Sequence, residues 1–279
     1  PPCTRPPRPP HPDRHAWDSA AATGASLPST LRGIVSSKKQ FLDSADASTG
    51  LVGLVVEATP FYAEQGGQVN DVGAIAAGDA SFDVTDVQKV GAYVVHIGRV
   101  TAGSLSLGAP VTLSVDYKAR SPAAVNHTTT HILNFALRKA LNLACDQRGS
   151  LCDADKLRFD FAHGKPLTEA QMQATQDNVN AVIEAAHPVN TGVAPLEKAT
   201  AISGLRAVFG EQYPDPVRVV AVGGSSIEAM LASPDSKEWE GYSVEFCGGT
   251  HIGNSREVER FALLSEEGLG RGVRRVVGV

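Results

Sequence analysis

Two short stretches of the chain hold residues of the types and spacing that bind metal ions: His127-Thr-Thr-Thr-His131 and Cys247-Gly-Gly-Thr-His251. On an α-helix, side chains four residues apart leave the same face with Cβ atoms about 5–6 Å apart. Two imidazole nitrogens can then converge on one ion at about 2.0–2.1 Å. In the second stretch, paired glycines permit a tight turn that returns a thiolate and an imidazole to one point. Three nitrogens and one sulfur suit a tetrahedral Zn²⁺. Each pair alone has an ordinary explanation, because histidines decorate many helix surfaces and a lone cysteine packs as a small hydrophobe. Together, one at a helix start and the other at a strand end, they favour a metal. Cys145, Cys152 and His163 have no comparable partner spacing.

The elements that must position these residues can be read from periodicity. Asn126–Leu143 carries a wide helical stripe of Ile132, Leu133, Ala136, Leu137, Ala140 and Leu141. Leu157–Phe161 alternates as a strand. A second helix is expected over Leu167–Ala186, opened by a Thr168/Gln171 capping box and closed by His187-Pro188. Strands follow at Val217–Val222, Ser243–Cys247 and Arg260–Ser265, then a basic stretch, Arg271–Val279. Helices with antiparallel-looking strands give an α+β domain over 119–279, opened by Ser121-Pro122. Ahead of it, 41–118 reads as all-β, with Val-rich runs at Leu51–Ala58, Ala80–Val87, Ala92–Val100 and Val111–Asp116 punctuated by Gly and Pro. A small antiparallel barrel carrying a Gly-rich loop at Gly66-Gly67 is expected there.

Residues 1–40 look like a separate tail. Seven of the 17 prolines fall in the first 12 residues, and an Ala/Ser/Thr-rich stretch with few aliphatics follows. Such a segment buries too little apolar surface to offset its ordering entropy, so it is expected to be disordered. Its six basic and two acidic residues leave a net charge of −9 on the rest of the chain, whose total is −5. An acidic body argues against indiscriminate nucleic-acid coating, which needs phosphate neutralisation, although a local basic patch remains compatible with it. No apolar run approaches the roughly 18 residues of a membrane-spanning helix. Four cysteines in 279 residues, with no secretory signal, argue against a disulfide framework and for a reducing compartment.

Several separated motifs carry a resemblance. Asn126–Leu141 (NHTTTHILNFALRKAL), Asp146–Leu151 (DQRGSL), Leu157–Phe161 (LRFDF) and Val244–His251 (VEFCGGTH) resemble the editing domain of alanyl-tRNA synthetases. So do Pro60–Gly73 (PFYAEQGGQVNDVG) and Gly272–Val277 (GVRRVV). The likeness runs in order from Phe41 to Val279, is closest to eukaryotic forms, and extends to free-standing alanyl-tRNA editing proteins. It implies a zinc-dependent deacylase that removes serine and glycine from tRNA charged for alanine. The metal ligands it implies are His127, His131, Cys247 and His251. It further implies that Thr130 senses the serine hydroxyl, that Gln147 is a polar active-site residue, and that Gly66-Gly67-Gln68 flanks the site.

This activity answers a real difficulty, because a pocket shaped for alanine rejects near-isosteres by only about 1–3 kcal/mol. A second site that hydrogen-bonds a hydroxyl sorts in the opposite sense. The implied partner is the acceptor end of alanine-specific tRNA. No aminoacylation domain is recognisable, so a synthetase half is expected elsewhere, covalently attached or separate. A cytoplasmic setting is expected, with mitochondrion or plastid as alternatives. For tRNA docking, Arg271, Arg274 and Arg275 form a basic cluster, with Lys118, Arg120, Arg138 and Lys139 elsewhere. Four protein ligands fill a tetrahedral shell, whereas catalytic zinc keeps a position open. The rival reading is therefore a structural zinc module that binds tRNA without catalysis. A peptidase is disfavoured, since no Glu follows His127 to act as base.

Overall fold

Alternating burial along Val-rich segments builds the first part of the chain as a barrel. The computed structural model describes residues 26–143, 145–208 and 211–279. They divide into two compact units, the first comprising residues 26–65 and Val69–Arg120, the second Gly66–Gln68 and Ser121–Val279. In the first unit the strands are β1 (Ser26–Ser36), β2 (Ser44–Asp46), β3 (Val52–Val56), β4 (Gly73–Ala77), β5 (Ala80–Val90), β6 (Tyr93–Ala102), β7 (Ser104–Ser106) and β8 (Pro110–Val115). Six of them close a barrel in the order β1-β3-β6-β5-β4-β8, every pair antiparallel. Inward residues such as Leu31, Ile34, Leu54, Ile75, Phe82 and Leu113 are fully buried.

The expected tail over 1–40 needs correction. Residues 1–25 lie outside the described residues, but Ser26–Ser36 is a barrel strand. Its first half pairs with β8 and its second half with β3, the register shifting between Leu31 and Gly33. That bend lets one strand join both edges and close the sheet. The segment is Ser/Thr-rich, and Leu31 and Ile34 are its fully buried side chains, too sparse a pattern to stand out from a disordered run. β4, sequence GAIAA, was unexpected for the same reason, with Ile75 alone fully buried.

In the second unit, helix α1 (Tyr117–Leu141) starts nine residues before the expected Asn126, its first turn counting with the first unit. Asp116 accepts the Lys118 and Ala119 N–H groups at 2.9 and 3.3 Å, and Pro122 falls early enough to be tolerated. β9 (Gln147–Cys152) and β10 (Leu157–Ala162) follow, then α2 (Glu169–Glu184), whose Thr168/Gln171 capping box is present as expected. Next come β11 (Val189–Ala194), α3 (Leu196–Thr200), β12 (Val217–Val222), α4 (Ile227–Ala232) and β13 (Ser243–Phe246). A hairpin of β14 (Leu263–Gly270) and β15 (Val273–Gly278) ends the chain. The strand expected from Arg260 begins at Leu263, because a turn at Ser255–Val258, capped by Asn254, leaves Glu259 with φ 64°.

The sheets are β14-β15-β10-β9 and β11-β12-β13, all antiparallel. The stripe of α1 packs with Phe159 and Phe161 of β10 and with Val179 and Ile183 of α2. A barrel followed by an α+β unit is therefore the architecture. Among the described residues, no helix is long and apolar enough to cross a membrane.

His96 on β6 is a titratable group with no exposure at all. Its Nδ1 lies 3.0 Å from the Leu54 carbonyl, which can only accept, so Nδ1 carries the proton. Nε2 then accepts from the Thr59 hydroxyl at 2.7 Å. Burial lowers its pKa to about 4. Between about 6.5 and 4 the unfolded chain binds a proton that the folded barrel refuses, so stability falls as pH falls through that window, by up to roughly 3 kcal/mol. We expect the His96 ring resonances to stay fixed in an NMR titration from pH 7.5 to 5. Titration near pH 6.5 would contradict this bonding.

Candidate metal centre

Within the second unit, α1 presents His127 and His131 on one face, and the turn after β13 brings Cys247 and His251 to them. The four ligand atoms lie within 4.8 Å of one another. Ring centroids of His127 and His131 are 5.1 Å apart, and each is 4.6 Å from that of His251. Cys247 Sγ is 3.3 Å from His127 Nε2 and 3.4 Å from His251 Nε2. Bond lengths of about 2.3 Å to sulfur and 2.0 Å to nitrogen put tetrahedral N···S edges near 3.5 Å. The donor set therefore fits one ion.

The outer hydrogen bonds fix which nitrogen faces inward. His127 Nδ1–H donates to Gln68 Oε1 at 2.6 Å, leaving Nε2 toward Cys247. Gln68 is itself held, donating to Thr250 Oγ1 at 2.7 Å and accepting the Thr250 N–H at 2.9 Å. His251 Nδ1–H donates to Thr128 Oγ1 at 3.1 Å. That hydroxyl gives its own proton to Ala124 O at 3.0 Å and also accepts the Ile252 N–H at 3.2 Å. Such partners orient a ligating imidazole and set its tautomer. His131 Nδ1 is buried with no partner on the described residues, and a metal bond would satisfy it. His131 Nε2 lies 3.7 Å from Glu245 Oε2.

Backbone close approach is part of the site. A Cβ on Gly249 would sit 2.0 Å from His127 Cε1, so any larger residue displaces that ring. Arg218, on β12, donates to the Cys247 and Gly249 carbonyls at 3.0 and 2.9 Å and so holds the turn. Gly67 has φ 87°, and a Cβ there would strike Ser150 O at 2.4 Å. Its carbonyl accepts the Cys152 N–H at 2.7 Å. Gly66–Gln68 thus belongs with the second unit rather than with the barrel, where the sequence pattern put the Gly-rich loop.

Burial dominates the electrostatics. It lowers the His131 pKa to about 3 and those of His127 and His251 well below the ordinary value, with neighbouring histidines and Arg218 adding to the effect. It pushes the Cys247 thiol up to about 11 despite the Gly249 N–H on its sulfur. All three imidazoles are neutral donors at physiological pH, and only the thiol must lose a proton to bind a metal.

Thr130 lies between the two helix histidines, 4% exposed, giving its hydroxyl proton to Asn126 O at 2.8 Å. Cys152 Sγ is 3.2 Å from that oxygen. Gln147, half-buried, donates to Ser150 Oγ at 3.2 Å and lines a cleft with Asn134, Arg206 and Glu245. Thr128, Arg218, Asn134 and Glu245 escaped sequence reasoning, and only the i+3 spacing of Asn134 from His131 could have hinted at one of them. The expected basic cluster does not stand free. Arg274 pairs with Glu266, Arg275 with Asp160 at 2.7 and 2.8 Å, and Arg120 is buried against Asp71.

Comparison with known proteins extends the geometry. Residues 23–119 match the family model of class II (A) tRNA synthetases, and residues 217–277 match the threonyl and alanyl tRNA synthetase second additional domain, which holds Cys247 and His251. The chain is 47% identical over 246 residues to the cytoplasmic alanine-tRNA ligase of Dictyostelium discoideum, covering 86% of this chain and 26% of that protein. It is 45% identical to the mitochondrial alanine-tRNA ligase of Saccharomyces cerevisiae, covering 86% and 24%. To the alanine-tRNA ligase of Schizosaccharomyces pombe it is 44% identical, covering 91% and 27%. The chain spans about a quarter of the length of these relatives. With both family models matched and these relatives similar over 86–91% of its length, the chain belongs to the alanine-tRNA ligase family, in the part that contains the second additional domain.

Proposed function

We propose that the chain holds Zn²⁺ through His127, His131, Cys247 and His251 and hydrolyses tRNA that carries serine or glycine in place of alanine. The observation that carries this reading is the convergence of a His/His pair and a Cys/His pair, 120 residues apart, into one donor set with oriented outer partners. Family membership supplies the substrate class, an aminoacyl ester at the acceptor end of tRNA. Bound zinc supplies Lewis acidity toward the ester carbonyl.

The chain's own residues supply the selection. Thr130 has committed its proton to Asn126 O, so its hydroxyl can only accept from a substrate. A serine side chain offers the matching donor and an alanine side chain offers none. Cys247 is the one ligand that is not fully buried, so substrate approaches from its side. Gln68 and Thr128 hold two imidazoles in register while that happens. The setting is cytoplasmic by likeness to relatives named cytoplasmic, with the mitochondrial relative marking the alternative. The four protein donors also suit a closed structural site that binds tRNA without hydrolysis. Chelation separates the two readings, since a structural site melts on zinc removal while a hydrolytic one loses activity with its fold retained.

Purified chain should deacylate Ser- and Gly-charged alanine tRNA and spare Ala-charged tRNA. Cys247→Ala should lower zinc content and hydrolysis together, and a zinc-free variant with full activity would remove the metal from the mechanism. Thr130→Val should slow serine removal while glycine removal persists, and unchanged Ser-versus-Gly rates would reject the sensing role. Because the thiol alone is protonated in the free site, zinc binding should release about one proton between pH 7 and 9. Apparent affinity should therefore rise about tenfold per pH unit. Thr128→Val, which strands His251 Nδ1–H, should weaken binding about 10–100-fold. Titration calorimetry in buffers of different ionisation enthalpy reads both quantities.

A further inference from the structure

Beside the donor set lies a cavity of about 40 Å³, walled by Asn134, Gln147, Arg206, Glu245 and Phe246 among others. Glu245 links the two places, its Oε2 being 3.7 Å from His131 Nε2 and its Oε1 accepting the Asn134 amide at 2.8 Å. Arg138 follows Asn134 by four residues on α1, on the same helix face. Burial first, and then the nearby charge of Arg206, lowers the Arg138 pKa to about 10, which leaves Arg138 cationic at neutral pH. Arg138 Nε and Nη2 and Arg206 Nε are buried and meet no acceptor on the described residues. Asn134 Oδ1 likewise lacks a partner.

Two guanidinium groups share this region with one buried carboxyl group, that of Glu245, and part of their donor set meets no acceptor among the described residues. Buried donors without acceptors are costly, and guanidinium forks match oxyanions in charge and shape. Asp146 also lines the cavity, but it is exposed at the rim, where solvent and salt screen its charge. An amino acid esterified to RNA has given up its carboxylate, so the anions such a substrate brings are phosphodiesters. We propose that Arg138 and Arg206 form an oxyanion subsite that grips a phosphodiester of the single-stranded RNA end whose terminal ester lies at the donor set. This rests on the reading above that the substrate is an aminoacylated RNA.

The test uses the zinc-loaded 279-residue chain and an uncharged RNA hairpin with a single-stranded 3′-CCA end, its binding followed across salt concentration. Arg206→Gln and Arg138→Gln should each weaken binding roughly tenfold near 0.1 M salt and reduce the slope of log K against log salt by about 0.7, one phosphate contact on a single strand. Arg206→Lys should keep the slope and lose affinity, because the charge remains and the fork is gone. A hairpin trimmed of its CCA end should bind wild type and Arg206→Gln alike. Unchanged slopes in zinc-replete variants, or a defect that persists with trimmed RNA, would overturn the subsite. If a Gln variant loses zinc, Arg206→Lys decides, and wild-type affinity there counts against the proposal. Slope changes without hydrolysis of any charged tRNA would leave the subsite standing and defeat the hydrolytic reading; hydrolysis with unchanged slopes would do the reverse.

Discussion

Three imidazoles and a thiol share a volume from which water is largely excluded, and this is tolerable because each of them is kept uncharged. A charged imidazole there would be isolated from solvent, and burial accordingly holds the histidines neutral and the cysteine protonated. Neutral rings still need direction. Gln68 and Thr128 give two of them a hydrogen-bond partner on the outer nitrogen, and each partner is held in turn by the Thr250–Ile252 backbone or by α1. The geometry of the site is thus a property of three segments locked to one another rather than of four side chains.

That interlocking explains which parts were legible in the sequence. The four candidate ligands announce themselves because histidine and cysteine at four-residue spacing are uncommon and chemically loaded, and the structure gathers them in one place. Thr168 with Gln171 announces a helix start by the same kind of local rule, and both lie where expected. Thr128 carries no such mark, since a threonine in a run of three can serve as helix filler, and its role depends on a histidine 123 residues away. Glu245 carries no such mark either, and its role follows from all four positions of β13 being buried. Helix α1 starts ahead of its apolar stripe, because its cap comes from Asp116 and Pro122 falls in the early turns that tolerate it.

Charge tells a related story. The arginines near the end of the chain look like a docking patch in sequence, but Arg274 and Arg275 are paired across the β14–β15–β10 sheet with Glu266 and Asp160. Their work is to hold strands together. Arg138 and Arg206, by contrast, keep buried donors without an acceptor among the described residues, and Arg206 lies in no basic run. A count of positive residues along a sequence does not separate Arg138 from Arg274 and Arg275, because what matters for anion binding is which guanidinium donors keep no acceptor after folding.

The bent first strand has a practical consequence. Because β1 pairs with β8 along one half and β3 along the other, it is the staple that leaves this barrel without a free margin. A recombinant fragment trimmed at the visible shift in composition, near residue 41, would lack the staple and bare the backbone of two neighbouring strands at once. Such unpaired margins recruit strands from other molecules, so a fragment that begins there would tend to clump in solution for reasons unrelated to the metal centre far along the chain.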